Sequence, residues 1–178
     1  MESGTMVTMS TPAVDSNSDY DSSSGSGFSL ILLSKSNPVF GCYMFWTSLL
    51  ILKMLIMSLL TARQRMKTKT FANPEDVRGG LEVRFGDPNV ERVRRAHRND
   101  LENVLPFILM SLAYVATGPN PLTARLLIRI GASARLLHTV VYAVIPVPQP
   151  ARGLAFLTTF AITCFEAGYV FVCCVKYI

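Results

Sequence analysis

Val90-Glu91-Arg92-Val93-Arg94-Arg95-Ala96-His97-Arg98-Asn99-Asp100-Leu101-Glu102-Asn103 is dense in charge, yet it runs with no turn signal into Val104-Leu105-Pro106-Phe107-Ile108-Leu109-Met110. Read as one helix, Arg95, Arg98, Asn99 and Glu102 fall at i, i+3, i+4 and i+7, which places them on a single stripe. Leu101, Leu105 and Ile108 fall on another. A polar stripe at the mouth of a hydrophobic helix is costly unless it faces a partner, a watery cavity or a charged ligand. Two guanidiniums beside an amide and a carboxylate suit a small zwitterion with carboxylates and an ammonium group. A solvated helix end is the plain alternative, and the rest of the chain weighs against it.

Half of the 178 residues are hydrophobic, too many for an ordinary soluble domain of this size. Four apolar segments account for the excess: Val39 to Ala62, Leu101 to Thr117, Leu122 to Ile145 and Leu154 to Val175. Each approaches the roughly 20 residues that a bilayer-crossing helix needs. The pattern predicts an all-α integral membrane protein, a bundle of four transmembrane helices over about residues 38–62, 88–117, 121–145 and 150–176. The third segment carries Arg125, Arg129, Arg135 and His138. Such residues persist in a membrane bundle by facing inward, so all four are functional candidates.

Residues 1–33 are a different material, rich in Ser, Asp, Thr and Gly and ending in a short apolar run from Phe28 to Leu33. With no basic n-region and no apolar h-region they read as a disordered tail, leaving residues 34–178 as the membrane domain. Asn37-Pro38 and Asp87-Pro88 carry helix-start chemistry, an Asx N-cap followed by proline at the first helical position. Helix one holds a single charge, Lys53, too deep for easy snorkelling. Asp100 and Glu166 are its candidate partners. Helix one also suits an uncleaved signal-anchor.

From Arg63 to Arg98 the chain has ten Lys/Arg against Glu75, Asp76, Glu82, Asp87 and Glu91. That excess marks residues 63–87 as a cytoplasmic loop. It also accounts for the net charge of +5 without nucleic acid, for which no recognised motif is present. Pro106 interrupts helix two and frees the carbonyl of Glu102, so a kink and a pocket are expected beside the polar stripe. In helix three Arg135, His138 and Tyr142 stand at i, i+3 and i+7. Singly, His138 reads as a buried imidazole and Tyr142 as an interfacial anchor; together with Arg135 they read as a second wall of a ligand pocket. Pro150 is expected at the first position of helix four. That puts Arg152 in its first turn, where backbone donors and a guanidinium form an anion site. Cys42, Cys164, Cys173 and Cys174 show no metal spacing and read as small hydrophobes.

Phe71-Ala72-Asn73-Pro74-Glu75-Asp76, the quoted run from Val90 to Asn103, His138-Thr139-Val140-Val141-Tyr142 and Pro148-Gln149-Pro150-Ala151-Arg152 together resemble the MAPEG family of membrane-associated eicosanoid and glutathione proteins. The likeness runs from about Ser34 to the C-terminus, with four separated motifs in order. Within the family the chain is most similar to the microsomal glutathione transferase branch, with the prostaglandin E synthase branch as sister type. The resemblance implies a homotrimer that binds glutathione, as co-substrate and with no metal, between subunits on the cytoplasmic side. By motif position, Arg65, Arg95, Arg98, Asn99, Glu102, Arg135, His138 and Tyr142 would surround glutathione, and Arg152 would lie nearest its sulfur.

The implied reaction is conjugation of glutathione to hydrophobic electrophiles arriving from the bilayer, with reduction of lipid hydroperoxides as a second activity. Prostaglandin isomerisation, or a non-catalytic lipid-binding and lipoxygenase-activating role, stays open as an alternative within the family. The synthase branch has a serine after its matching arginine, where this chain has Gly153. The implied address is the endoplasmic reticulum membrane (microsomes), with the mitochondrial outer membrane the other candidate.

Overall fold

The structure is a computed structural model and describes residues 32–77 and 83–178. Most of the tail read as disordered lies outside the described residues. Four long helices follow one another up and down: α1 (Pro38–Thr68), α2 (Pro88–Ala116), α3 (Pro121–Thr139) and α4 (Ala151–Cys174). α1 packs on α2 and α3, and α4 closes the bundle against the same two.

Three of the four helices start by one device. Asn37 Oδ1 accepts from the Val39 N–H at 2.9 Å. Asp87 Oδ1 accepts from Asn89 and Val90 at 2.9 and 3.1 Å, and Asn120 Oδ1 from Leu122 and Thr123 at 3.0 and 3.2 Å. In each case proline follows the cap, and its missing N–H is one that the helix start leaves unused. α4 differs from expectation. Pro150 is its N-cap rather than its first helical residue, and the cap hydrogen bond comes from a neighbour, the Gly153 N–H donating to Gln149 Oε1 at 3.0 Å.

Two other boundaries depart from the sequence reading. α1 continues six residues past Ala62, so residues 63–68 are helix and not loop. Arg65 and Lys67 lie in its last turn, where basic side chains complement the negative end of the helix dipole, and Lys69 closes it with a left-handed φ of 52°. The third helix does not stay α to residue 145. Val140–Val144 form a π turn, closed by the Ile145 N–H donating to the Val140 carbonyl at 2.8 Å. Pro146 has no N–H to offer the Tyr142 carbonyl, and it pushes Ile145 to an extended φ, ψ of −123°, 93°, so the last turn widens.

The bundle is apolar outside and partly charged inside. Leu52, Leu55, Leu59, Leu109, Leu157 and Val172 are exposed, while Lys53, Asp100, Arg135 and Glu166 are buried. Three helical segments, Pro38–Thr68, Pro121–Val144 and Ala151–Tyr177, are long and apolar enough to cross a membrane. α2 has 29 residues, about 44 Å at 1.5 Å per residue, and packs in the same bundle. The protein is an all-α, four-helix integral membrane protein.

Leu50, Met54, Val104, Phe107, Ile128 and Ile162 lie at the centre of the core. α2 and α3 approach closely at Gly131, where a Cβ would lie 2.7 Å from the Phe107 ring. Any side chain there would have to displace that ring. Thr159 Oγ1 donates to the Gly131 carbonyl at 3.0 Å, fastening α4 to the same point.

Candidate functional site

The N-terminal half of α2, the end of α3 and the start of α4 meet at one end of the bundle. Val93, Ala96, Asp100, Val104 and Phe107 recur at steps of three and four and form the buried face of α2. Asn99, one residue before Asp100, is turned toward α3 at the edge of that face. Arg135, 0 % exposed, donates from Nη1 to Asn99 Oδ1 at 2.9 Å. Its guanidinium also lies 5.5 Å from the centre of the Phe156 ring on α4. Among the described residues, Nε and Nη2 of Arg135 have no hydrogen-bond partner. A buried guanidinium with two unused nitrogens is suited to an anionic ligand group.

A second set forms one turn further along α3. The His138 and Tyr142 rings meet edge to face with centroids 5.5 Å apart. The Arg152 guanidinium lies over the other side of this cluster, 4.5 Å from the Tyr142 ring centre. The π turn carries Tyr142 and fixes where the ring faces; single wide turns of this kind are frequent at functional positions. Met57, Val93, Ala96 and Ala143 pack beneath Tyr142 and support it.

The other expected residues are arranged differently. Arg95, Arg98 and Glu102 are exposed along α2, with Arg98 Nε 3.4 Å from Glu102 Oε1. Arg65 is half-buried near the end of α1, on helix rather than in the expected loop. Glu102 and Arg135 do share a cleft of about 250 Å³ with Asn103, Pro106, Phe160, Thr163 and Cys164, so Pro106 borders a pocket as its position suggested. Arg152 is not part of its lining. One subunit therefore brings together Asn99 with Arg135, Glu102 with Arg135, and His138 with Tyr142 and Arg152; Arg98 joins only through its exposed pairing with Glu102, and Arg65 and Arg95 lie outside these groups.

Three further features bear on the site. Lys53 takes Asp100 as its partner, Nζ to Oδ1 at 2.6 Å, and this pair lies one residue from the Asn99–Arg135 bond. Glu166, the other candidate, is held instead by the Ser111 hydroxyl, 2.9 and 3.0 Å from its two oxygens. Phe156 beneath Arg135 was not anticipated; its signal is a spacing of four from Arg152 on one face of α4. Arg125 and Arg129 do not face inward with Arg135 and His138: Arg125 is half-buried and Arg129 exposed. Their guanidiniums lie toward the other end of α3.

Residues 43–172 match the MAPEG family. Among curated relatives, microsomal glutathione S-transferase 1 of Mus musculus is 43% identical over 138 residues, covering 71% of this chain and 85% of the relative. The Homo sapiens protein of the same name is 42% identical over the same length and the same shares of both chains. Prostaglandin E synthase of Rattus norvegicus is 39% identical over 140 residues, covering 78% of this chain and 90% of the relative. A family match from residue 43 to 172, with relatives near 40% identity covering more than two thirds of the chain, leaves one conclusion: the chain belongs to the MAPEG family.

Proposed function

We propose that this protein is a membrane-bound glutathione transferase that joins the glutathione thiolate to hydrophobic electrophiles. The observation that carries the reading is Arg152 at the N-terminal turn of α4, its guanidinium held over Tyr142 at 4.5 Å with His138 behind. A free thiol has a pKa of about 8.5, and only the thiolate attacks well. Lowering that value by about two units requires roughly 2.7 kcal/mol of preferential thiolate stabilisation. A guanidinium and the positive end of a helix dipole, at a membrane edge where water is scarce, are of the right kind and size. The names of the 42–43% identical relatives support the same chemistry.

A homotrimer completes the pocket. Arg95, Arg98 and Glu102 form an open face on α2, and Arg65 stands apart on α1; a neighbouring subunit would cover the first and bring the second to a shared glutathione. Asn99 and Arg135 would hold a carboxylate of the tripeptide, and the bilayer would deliver the apolar electrophile. With an aryl halide, the carbon–sulfur bond forms as the carbon–halogen bond breaks, halide leaves and the thiol proton goes to water. Reduction of lipid hydroperoxides at the same thiolate is a second activity. The proposed address is the endoplasmic reticulum membrane, with the basic end of the bundle in the cytoplasm; the mitochondrial outer membrane is the other address.

Prostaglandin E isomerisation is the second reading, favoured by the 39% identity of the rat synthase over a larger share of the chain. Gly153 speaks against it, because it has no hydroxyl beside Arg152 and its N–H is committed to Gln149. Purified protein with glutathione is to be incubated in parallel with an aryl halide, a lipid hydroperoxide and a prostaglandin endoperoxide. Turnover of the first supports the transferase, and turnover of the endoperoxide alone replaces it with the isomerase. Glutathione binding without any thiolate absorbance band would favour a non-catalytic lipid-binding member of the family.

A further inference from the structure

At the end of the bundle opposite Arg152, a groove of about 550 Å³ opens between α1 and α3. Its lining is Pro38, Cys42, Phe45 and Trp46 from α1 and Arg125 and Arg129 from α3. The two arginines are one turn apart, four and eight residues from the helix start at Pro121. Cys42 and Trp46 stand at the same two steps from Pro38, so each arginine is level with a groove wall about 6 and 12 Å down its helix. Arg125 Nε donates to the Pro121 carbonyl at 3.1 Å, which draws its guanidinium toward the helix end. Among the described residues Arg129 finds no comparable bond, and its side chain is exposed. Among the described residues, neither arginine forms a salt bridge; the three bridges present involve other groups.

Two unpaired guanidiniums within a membrane-crossing helix, outside the bundle core, require an anion from their surroundings or a path to water. Snorkelling serves one long side chain near an interface. It does not account for a second arginine a full turn deeper beside a tryptophan and a phenylalanine. A net charge of +2 with no carboxylate in the groove complements a headgroup with net negative charge, and the aromatic walls suit the glycerol and upper acyl region below it. We infer that this groove binds one anionic phospholipid, its phosphate held by Arg125 and Arg129 and its upper chains against Phe45 and Trp46. The site is separate from the thiol chemistry and does not depend on it.

Trp46 is the sole tryptophan of the chain, so intrinsic fluorescence reports on this groove. The full-length protein is placed in phosphatidylcholine nanodiscs containing, at equal mole fraction, either acyl-brominated phosphatidylglycerol or acyl-brominated phosphatidylcholine. The anionic lipid is expected to occupy the groove with about tenfold preference, seen as stronger quenching of Trp46, and salt is expected to weaken that preference. R125Q/R129Q should quench alike with both lipids while keeping glutathione conjugation, and R129Q alone should fall between.

Equal quenching of the wild type by the two lipids, or a preference that survives in the double variant, overturns the inference. So does weak quenching by both lipids together with loss of oligomer mass in the double variant, which would put a second copy of the chain on this face. The salt titration needs no variant and stands even if R125Q/R129Q fails to fold.

Discussion

Lys53 Nζ lies 2.6 Å from Asp100 Oδ1, and neither side chain is exposed by more than a tenth. The pair ties α1 to α2 one residue from the amide that receives Arg135. Removing one partner from such a pair leaves an uncompensated buried charge, which costs about 3–5 kcal/mol. Asp100→Ala and Lys53→Met should each lower the free energy of unfolding in detergent by that order. The double variant K53M/D100L should recover most of the loss. If the double variant is as unstable as the singles added together, the two residues do not act as a pair.

Arg152→Ala should weaken the glutathione thiolate band and slow conjugation far more than it weakens glutathione binding. The sign follows from the thiol. Taking away a cation raises its pKa, so the rate of the variant should reach its plateau at a pH higher by about two units if the guanidinium supplies the full 2.7 kcal/mol. Stopped-flow spectra across the pH range measure this directly. Unchanged midpoints would remove Arg152 from the chemistry.

Asn99→Ala leaves Arg135 without the hydrogen bond that orients it. Bonds to charged groups contribute about 1.5–3 kcal/mol, so the KM for glutathione should rise about ten- to a hundredfold with a smaller change in kcat. Arg135→Lys should raise the KM in the same way, since an ammonium cannot span Asn99 and a ligand carboxylate as a planar fork does. A drop confined to kcat would assign Arg135 a different role.

Gly131→Ala should destabilise by about 1–3 kcal/mol, because its methyl would meet the Phe107 ring at 2.7 Å. Phe107→Leu in the same chain should relieve the clash. Thermal unfolding of the two variants decides it, and a neutral Gly131→Ala would mean that α2 and α3 are less tightly apposed.

The Asx-Pro starts at Asn37, Asp87 and Asn120 were plain in the sequence, because that dipeptide satisfies helix-start donors by local geometry alone. Lys53 could be limited to two partners but not to one: helical periodicity gives the face of each residue, and only the packing of α1 on α2 gives the depth at which faces meet. The same limit hid the Asn99–Arg135 bond and the seat of Arg152 over Tyr142, although all four residues stood out as candidates. The end of α1 was set too early because hydropathy falls at Arg63, whereas Arg63, Gln64, Arg65 and Lys67 are good helix formers. Arg125 and Arg129 were expected inside with Arg135; their exposure is a property of the rotation of α3, which sequence spacing does not fix.

The length of α1 has a consequence for the assembly. Its 31 residues make a rod of about 46 Å, and the hydrocarbon layer is about 30 Å deep. With the helix upright, roughly ten residues extend past that layer as a post, and the basic run from Arg63 puts them at the end of the bundle that holds Arg152. Arg63, Arg65 and Lys67 sit on that post at fixed heights and bearings, each separated from the next by two residues, about 200° of rotation. No single neighbour can engage all three. Arg63 and Lys67, four residues apart, share one face of the post and Arg65 stands on the opposite one, so deleting one residue between Leu60 and Arg63 would turn all three by about 100° and change which charges face inward.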